Sequence, residues 1–379
     1  GLNLPGLPVR QGPVIWIHAL SVGEVTSALP LVKGIREQIF PAQIVFTATT
    51  RSGKKLAERL IAPHVDLVLF SPLDIRFAVR RYINAIRPDC FILVETDFWP
   101  NWLRLLKRRN VLMLLVNGRI SAKSFAAYRR FSFFFGPMFR CFDLLSMQTA
   151  HDRDAMLALG IPAERLAVLG NLKYDLPAQH IVPPDLSVEN GRIVWVCGST
   201  HPGEEEIIFA AFKQLTSVAN IRLILAPRKI ERGGELLTLA RSFGLNAVLR
   251  SNGAAGAESC VLILDTIGEL AGCYSLARLV FIGGSLVDEG GHNPIEAAAQ
   301  AVPVLFGPHM EDFTEIACDL TACGGAKMVT AESLAENAAA ILADDGLHTA
   351  MSSAARQLVE QQRGGVERHV CVIKKMLRQ

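Results

Sequence analysis

The sequence has little net charge, no long apolar run and no paired cysteines, and each lack narrows what the chain can be. A formal charge of only +3 over 379 residues leaves no electrostatic footprint for nucleic acid. No apolar run approaches the roughly 18–20 residues of a membrane-spanning helix, and no secretory signal opens the chain. None of the eight cysteines forms a C-x-x-C pair. Several lie in apolar stretches such as Val194-Trp195-Val196-Cys197, as small buried hydrophobes of a reducing compartment do. The nine histidines are dispersed without zinc spacing. Neither G-x-G-x-x-G nor G-x-x-x-x-G-K-[ST] occurs, which argues against a nicotinamide cofactor and against P-loop chemistry.

What is present is a repeated alternation. Apolar runs at Val14–Leu20, Ile44–Thr47, Val65–Phe70, Phe91–Glu95, Val111–Val116, Leu144–Met147 and Leu166–Leu169 are separated by turn residues. Helical stretches fall at Val25–Gln38, Lys54–Leu60, Ile75–Ile86 and Ser121–Arg140. Runs without polar alternation suit strands buried on both faces, and strand–helix alternation implies a parallel sheet wound on both sides. Residues 177–191, with Pro177, Pro183, Pro184 and Gly191, break the pattern and read as a linker. The alternation restarts with strands at Ile193–Cys197, Ile221–Ala226, Val261–Leu264, Leu279–Ile282, Val302–Phe306 and Lys327–Thr330. The second set of helices lies near Glu204–Leu215, Gly234–Phe243, Pro294–Gln300 and Glu332–Leu342, with one or two more from Thr349 to Leu377. The expected fold is α/β: two Rossmann-like, doubly wound parallel-sheet domains (1–176 and 192–379), the terminal helix able to pack back on the first. Two such halves facing across a cleft are the GT-B architecture, in which ligands sit beyond the carboxyl ends of the strands.

The loops at those ends carry the candidate chemistry. Ser21-Val22-Gly23-Glu24 reads locally as a capping box. It also places a carboxylate at a helix start, where the dipole favours the ionised form that a general base needs. Thr49-Thr50-Arg51-Ser52-Gly53-Lys54 offers hydroxyls and cations at another helix start, suited either to an anion or to plain capping. Arg119 is a second weak anion candidate. Glu95-Thr96-Asp97-Phe98-Trp99-Pro100-Asn101 brings two carboxylates beside Trp and Pro, with Asp97 or Thr96 as a possible cap. Lys173 stands in Gly170-Asn171-Leu172-Lys173-Tyr174-Asp175, just before the linker. In the second half, Gly198-Ser199-Thr200-His201 opens a helix in the manner of a phosphate site. Gly283-Gly284-Ser285-Leu286 and Gly290-Gly291 allow close backbone approach. Asn293 can cap a helix begun by Pro294, with Glu296 in its first turn placed for ribose hydroxyls. Asp152-Arg153-Asp154 matches a metal-binding D-x-D but reads as acidic residues favoured at a helix start. His18 reads as a packed core residue.

In order along nearly the whole chain, these segments, with Pro227-Arg228 and Asp265-Thr266-Ile267-Gly268-Glu269-Leu270, resemble the bacterial 3-deoxy-D-manno-octulosonic acid (Kdo) transferases. The resemblance implies CMP-β-Kdo as donor and inverting transfer to the distal glucosamine 6-hydroxyl of a tetraacylated lipid A precursor, by one or more Kdo units. It implies Glu24 as proton acceptor and Glu95 and Lys173 as transition-state stabilisers. It places CMP on Pro227-Arg228, Ile267-Gly268-Glu269 and Asn293-Pro294-Ile295-Glu296, with Ser199, Thr200 and Gly284 as further donor-site candidates. A single in-line displacement needs one base and no covalent nucleophile. Helix N-termini, Lys173 and Arg228 suffice for the departing charge, so no metal or other cofactor is expected.

The implied location is the cytoplasmic face of the bacterial inner membrane. The family usually carries an N-terminal hydrophobic and basic anchor. This chain opens at Gly1 without one, and the expectation is that a native anchor is missing from it. Tyr128–Arg140, with five Phe interleaved with three Arg, is the candidate contact for an anionic membrane, against a buried helix end as the plain alternative. Competing functions are a GT-B transferase or epimerase acting on a UDP-sugar, and a non-catalytic membrane-surface protein that kept the fold.

Overall fold

Alternate residues of the first strand face opposite ways, and both faces are apolar. Val14 and Trp16 join one core cluster; Ile15, Ile17 and Ala19 join another. Such a strand is stable only at the centre of a sheet covered by helices on both sides. That is where the computed structural model, which describes residues 10–175, 186, 192–216, 220–252 and 260–378, puts it. The chain divides into two units, Gly1–Pro177 with Gln362–Gln379, and Ala178–Gln361. Apart from Leu186, the expected linker at 177–191 lies outside the described residues.

The first unit runs β1 (Val14–Ala19), α1 (Val22–Gln38), β2 (Gln43–Ala48), α2 (Arg51–Leu60), β3 (Leu67–Phe70), α3 (Arg76–Ile86), β4 (Cys90–Val94) and α4 (Pro100–Lys107). It continues with β5 (Leu112–Gly118), α5 (Ala122–Arg130), α6 (Ser132–Phe139), β6 (Leu144–Met147), α7 (Ala150–Ala158) and β7 (Leu166–Val168). All pairings are parallel, in the order β3-β2-β1-β4-β5-β6-β7. The order reverses between β1 and β4, so the crevice at their carboxyl ends is the favoured ligand position.

The second unit runs β8 (Ile193–Thr200), α8 (Glu205–Leu215), β9 (Ile221–Pro227), α9 (Gly233–Ser242), β10 (Ala247–Leu249), β11 (Val261–Ile263), α10 (Leu270–Tyr274) and β12 (Leu279–Ile282). Then come α11 (Ile295–Ala299), β13 (Val304–Phe306), α12 (Thr314–Ala322), β14 (Ala326–Met328), α13 (Leu334–Ala343) and α14 (Asp345–Gln362). Its order is β10-β11-β9-β8-β12-β13-β14, again parallel, with the reversal between β8 and β12.

Helix α15 (Gly365–Met376) returns to the first unit. Its Val370 and Ile373 enter the cluster of Ile15 and Ile17, and it lies so close to α1 that a Cβ at Gly34 would come within 3.0 Å of Val366. Gly364, at φ 88°, separates α14 from α15. The stretch expected as one helix over Ser121–Arg140 is two, because Phe131 (φ −109°, ψ 38°) leaves helical geometry. The sequence reading anticipated the starts of α4 and α7 without bounding them and passed over α10, α12 and β10. The four helices are short, and β10 is an extra edge strand.

Candidate active site

Glu24 lies in the first turn of α1, at the crevice beside β1, and is 6% exposed. The expected capping box does not form. The Ser21 hydroxyl accepts no capping bond, and Glu24 Oε2 accepts the Leu20 N–H. The expected ionised state is reversed. Burial, reinforced by the charges of Glu95 and Asp97, outweighs the Leu20 N–H and Arg119 and lifts the Glu24 carboxyl from 4.5 to about 8. Desolvation near a sheet's end exceeds what a helix dipole returns.

Across the crevice, Glu95 follows β4 in left-handed backbone geometry, φ 65°. It is 5% exposed. Its Oε1 accepts Ser27 Oγ–H and Asn117 Nδ2–H, both at 3.2 Å. Lys173 Nζ stands 3.9 Å from the same oxygen, and Arg119 Nε 4.0 Å from Oε2. Glu24, Glu95, Lys173 and Arg119 are therefore brought together. Asp97 does not cap α4; Asp74 accepts the N–H groups of Asn101 and Trp102 instead. Asp97 Oδ2 lies 2.9 Å from His18 Nε2, whose Nδ1 meets Thr47 Oγ1 at 2.9 Å. His18 is buried, as expected, but with both ring nitrogens hydrogen-bonded rather than held by packing alone. Arg51 and Ser52 are exposed in the first turn of α2. The N-cap of that helix, Thr50, accepts Gly53 N–H at 3.0 Å and donates its own N–H to Leu20 at 3.1 Å, so α1 and α2 begin side by side.

In the second unit, Glu204 decides what the glycine loops can do. It is fully buried and accepts four backbone N–H groups: His201 at 2.9 Å, Gly284 at 2.7 Å, Ser285 at 3.0 Å and Leu286 at 2.9 Å. The Gly284 amide, expected to face a ligand, is thus committed to a side chain. What glycine permits there is the approach of His292 and His201, which a Cβ would meet at 3.2 and 3.5 Å. Those imidazoles stack with Nε2 atoms 2.9 Å apart. Burial, then the charges of Arg228 and His201, lowers His292 to about 4.

Arg228 is exposed at the end of β9, its N–H on the Thr200 carbonyl at 2.9 Å. Pro227 and Thr200 are buried framework and Ser199 is half-buried at φ 59°. Ile267 and Gly268 are exposed. Glu269 is held by Arg250 at 2.8 Å and by the Thr266 hydroxyl, which keep it below the usual carboxylate range. Asn293 Oδ1 accepts Ile295 N–H at 3.0 Å. Pro294 precedes α11 rather than beginning it. Glu296 is half-buried, burial raises its pKa, and no donor among the described residues reaches its carboxylate.

Asp152 of the D-x-D is structural: it is buried, accepting Ile120 N–H at 2.8 Å and Thr149 Oγ–H at 2.5 Å. Among the described residues, Asp288, His309 and Glu311 bring metal-type ligand atoms together at the surface. His309 Nδ1 lies 3.9 Å from Asp288 and 3.6 Å from Glu311, and both carboxylates are exposed. The sequence reading missed Ser27, Asn117 and Gln148, polar residues in or beside apolar runs, a signal too common to single out, and took Glu204 only as the end of a helix-opening loop.

A profile of the family described as 3-deoxy-D-manno-octulosonic-acid transferase (kdotransferase) matches residues 3–176. The chain is similar to a 3-deoxy-D-manno-octulosonic acid transferase of Haemophilus influenzae, at 33% identity over 381 residues, 98% of this chain and 88% of that one. Its similarity to the Bordetella pertussis transferase is 32% over 375 residues, 95% and 87% of the two chains. Among solved structures it resembles Acinetobacter baumannii MurG, with TM-score 0.63, 15% identity, and 96% and 100% of the chains covered. It also resembles UDP-GlcNAc 2-epimerase of Neisseria meningitidis, with TM-score 0.61, 12% identity, and 92% and 98% covered. At those identities the structural likeness concerns the fold alone, which is GT-B.

Proposed function

The chain belongs to the Kdo transferase family of glycosyltransferases, and from that premise we propose that it transfers Kdo with inversion from CMP-β-Kdo to the 6′-hydroxyl of a tetraacylated lipid A precursor. The observation that carries the reading is the Glu24 carboxyl, buried at the crevice of the first sheet, lifted to about 8 and set beside the Glu95–Lys173 pair. A carboxylate of that basicity takes a proton from an attacking hydroxyl far better than an ordinary one. The hydroxyl oxygen bonds to the Kdo anomeric carbon, the bond from that carbon to the phosphate oxygen breaks, and the electron pair leaves with CMP. The hydroxyl proton passes to Glu24 as the new bond forms. Glu95 and Lys173 stabilise the charge that develops. The balance closes without a covalent intermediate or a cofactor.

In the second unit, Glu296 accepts from the ribose hydroxyls, no donor among the described residues reaching it. Arg228 meets the phosphate or the Kdo carboxylate. Ile267 and Gly268 present exposed backbone at the start of α10. Glu269, paired to Arg250, holds that loop in place rather than offering a free carboxylate.

We assign the membrane contact to the flank of α3–α6. Phe131, Phe133 and Phe134 are 45%, 79% and 40% exposed, while Tyr128, Phe135 and Phe139 pack inward on one another. Leu73, Ile75 and Phe77 are also exposed, beside Arg76, Arg80 and Arg81. Val79 of α3, Trp102 of α4 and Phe139 of α6 share one core cluster, which puts these helices on one side of the sheet. Apolar rings among arginines suit the interface of an anionic bilayer. No described helix is long and apolar enough to cross a membrane.

The test is incubation of the chain with CMP-Kdo and a tetraacylated lipid A precursor, with mass spectrometry counting the Kdo units gained, and thermal shift with CMP against UDP. Kdo-bearing lipid and stabilisation by CMP are expected. Stabilisation by UDP alone would turn the reading to a UDP-sugar enzyme.

A further inference from the structure

Behind Glu95 and Lys173 runs a hydrogen-bonded series of three amide side chains, joined at Asn117 through that residue's backbone carbonyl. Asn117 Nδ2 donates to Glu95 Oε1 at 3.2 Å, and Asn117 Oδ1 accepts the Leu172 N–H at 3.0 Å. The Asn117 carbonyl accepts Gln148 Nε2–H at 3.0 Å, and Gln148 Oε1 accepts Asn171 Nδ2–H at 3.0 Å. Asn171 Oδ1 then accepts the Lys173 N–H at 3.0 Å. The orientation of each amide is fixed from both ends. The backbone N–H groups of Leu172 and Lys173 can only donate and the Glu95 carboxylate can only accept, so no Asn or Gln here can be reversed without breaking a bond.

Three features separate this chain from ordinary core satisfaction. It is buried: Asn117 is 0%, Gln148 6% and Asn171 6% exposed. Buried amides cost stability unless every bond is made, and apolar residues such as the adjacent Leu115 and Val116 would serve a core better. It also meets unusual backbone. Asn117, near the end of β5, has φ 56°, a region Asn tolerates, and Glu95, just past neighbouring β4, has φ 65°, which a Glu adopts only with strain. Finally, it begins and ends on the two partners of one ion pair, 3.9 Å apart. The Gln148 and Asn171 side chains each donate at one end and accept at the other, as an amide can, while the Asn117 side chain joins Glu95 to the Leu172 N–H and its backbone carbonyl holds Gln148.

We propose that Asn117, Gln148 and Asn171 are positioning residues that set Lys173 against Glu95 for the transfer reaction. The proposal rests on the reading above that Glu95 and Lys173 act in transfer. None of the three amides need touch a substrate.

Two variants of this chain test it. Gln148→Met removes both links of the central amide at nearly constant volume. Asn117→Asp keeps the acceptor for Leu172 and tolerates left-handed backbone, but turns a donor facing Glu95 into a second carboxylate. In a crystal structure of Gln148→Met, Lys173 Nζ should leave Glu95; a pair still at 3.9 Å overturns the proposal whether or not the chain is active. In rate measurements both variants should lose at least about tenfold in kcat while the CMP-Kdo KM stays within about threefold. For Asn117→Asp the rising limb of the pH–rate profile should also move upward by about half a pH unit or more, from the added negative charge. Wild-type kcat in both variants, or a fall in kcat that tracks lost melting temperature with an unmoved profile, would mean the amides serve stability only. If the wild type transfers no Kdo, the functional reading falls, while the crystallographic distance still decides the relay.

Discussion

Replacing Glu24 by Gln should destroy activity and, at alkaline pH, stabilise the protein. The carboxyl titrates at about 8 instead of 4.5, with burial as the main cause. A group whose folded pKa is raised contributes stability that is complete below its unfolded pKa and lost as pH climbs through the folded value. The loss here accumulates between about pH 4.5 and 8, because the unfolded chain ionises across that window and the folded one does not. The displacement corresponds to on the order of 4–5 kcal/mol at most. Relaxation and water entry reduce such figures, so about 2–3 kcal/mol is the working expectation. Gln cannot ionise, yet its amide oxygen still accepts the Leu20 N–H. The variant should therefore match the wild type near pH 4.5 and exceed it by about 2–3 kcal/mol at about pH 8.5. Its kcat should fall by at least about 10²-fold, while wild-type kcat/KM should rise with pH and level off above about 8. Denaturant unfolding at both pH values and initial rates on the same samples provide the readout. Turnover within about threefold of wild type would remove Glu24 from the chemistry. A variant less stable at both pH values would show that the carboxyl is a cap and not a strained, neutral acid.

Three further outcomes are expected. Glu296→Ala should weaken CMP binding by about 1–3 kcal/mol in calorimetry, through lost bonds to ribose; unchanged affinity would place the nucleotide elsewhere. Glu204→Gln, which keeps one carbonyl oxygen for four N–H donors, should cost at least about 2 kcal/mol in denaturant unfolding, and a neutral result would contradict the clamp seen on Gly284, Ser285 and Leu286. Arg129/Arg130→Glu should abolish flotation with anionic liposomes at low salt, each cation being worth about 1 kcal/mol at such a surface; a double mutant that floats like wild type, its CMP binding intact, would make the α5–α6 patch structural.

The strands and their parallel winding were legible because burial on both faces leaves a short, continuous apolar run bounded by turn residues, as in Val14–Ala19. The carboxyl-end loops were legible for the same reason: they are where the runs stop. The bonds each polar residue makes were not, because a motif names its donors and acceptors without saying which neighbour arrives. Ser21 and Glu24 spell a capping box, yet Ser21 caps nothing. Asp97 stands where a cap belongs, yet Asp74, from the loop after β3, takes that role. The break at Phe131 was hidden because Tyr128, Phe135 and Phe139 keep a helical spacing across it. Asn117 and Gln148 lie at or just past the ends of β5 and β6, where one amide in an apolar run gives no hint that it faces another.

The two units show how one position acquires opposite uses. Glu24 and Glu204 each follow the first strand of a parallel sheet and stand at the crevice where strand order reverses. A carboxylate has about four acceptor sites. In the second unit the loop after the facing strand β12 is Gly283-Gly284-Ser285-Leu286, which brings three N–H groups within 3.0 Å. His201 supplies a fourth. Glu204 is saturated, and its charge is spent on holding two loops together. In the first unit the loop after the facing strand β4 is Glu95-Thr96-Asp97, which brings negative charge instead of amides. Glu24 accepts a single backbone N–H, and Glu95 and Asp97 add to the burial that keeps it neutral. The local sequences, S-V-G-E and H-P-G-E, do not distinguish the two carboxylates. The difference lies some seventy to eighty residues downstream, in whether the next strand across the reversal point ends in glycines or in acids. A carboxylate met by amides becomes a brace, and one met by carboxylates, with a single hydrogen bond among the described residues, is kept neutral up to about pH 8, which suits the proton-accepting role proposed for it.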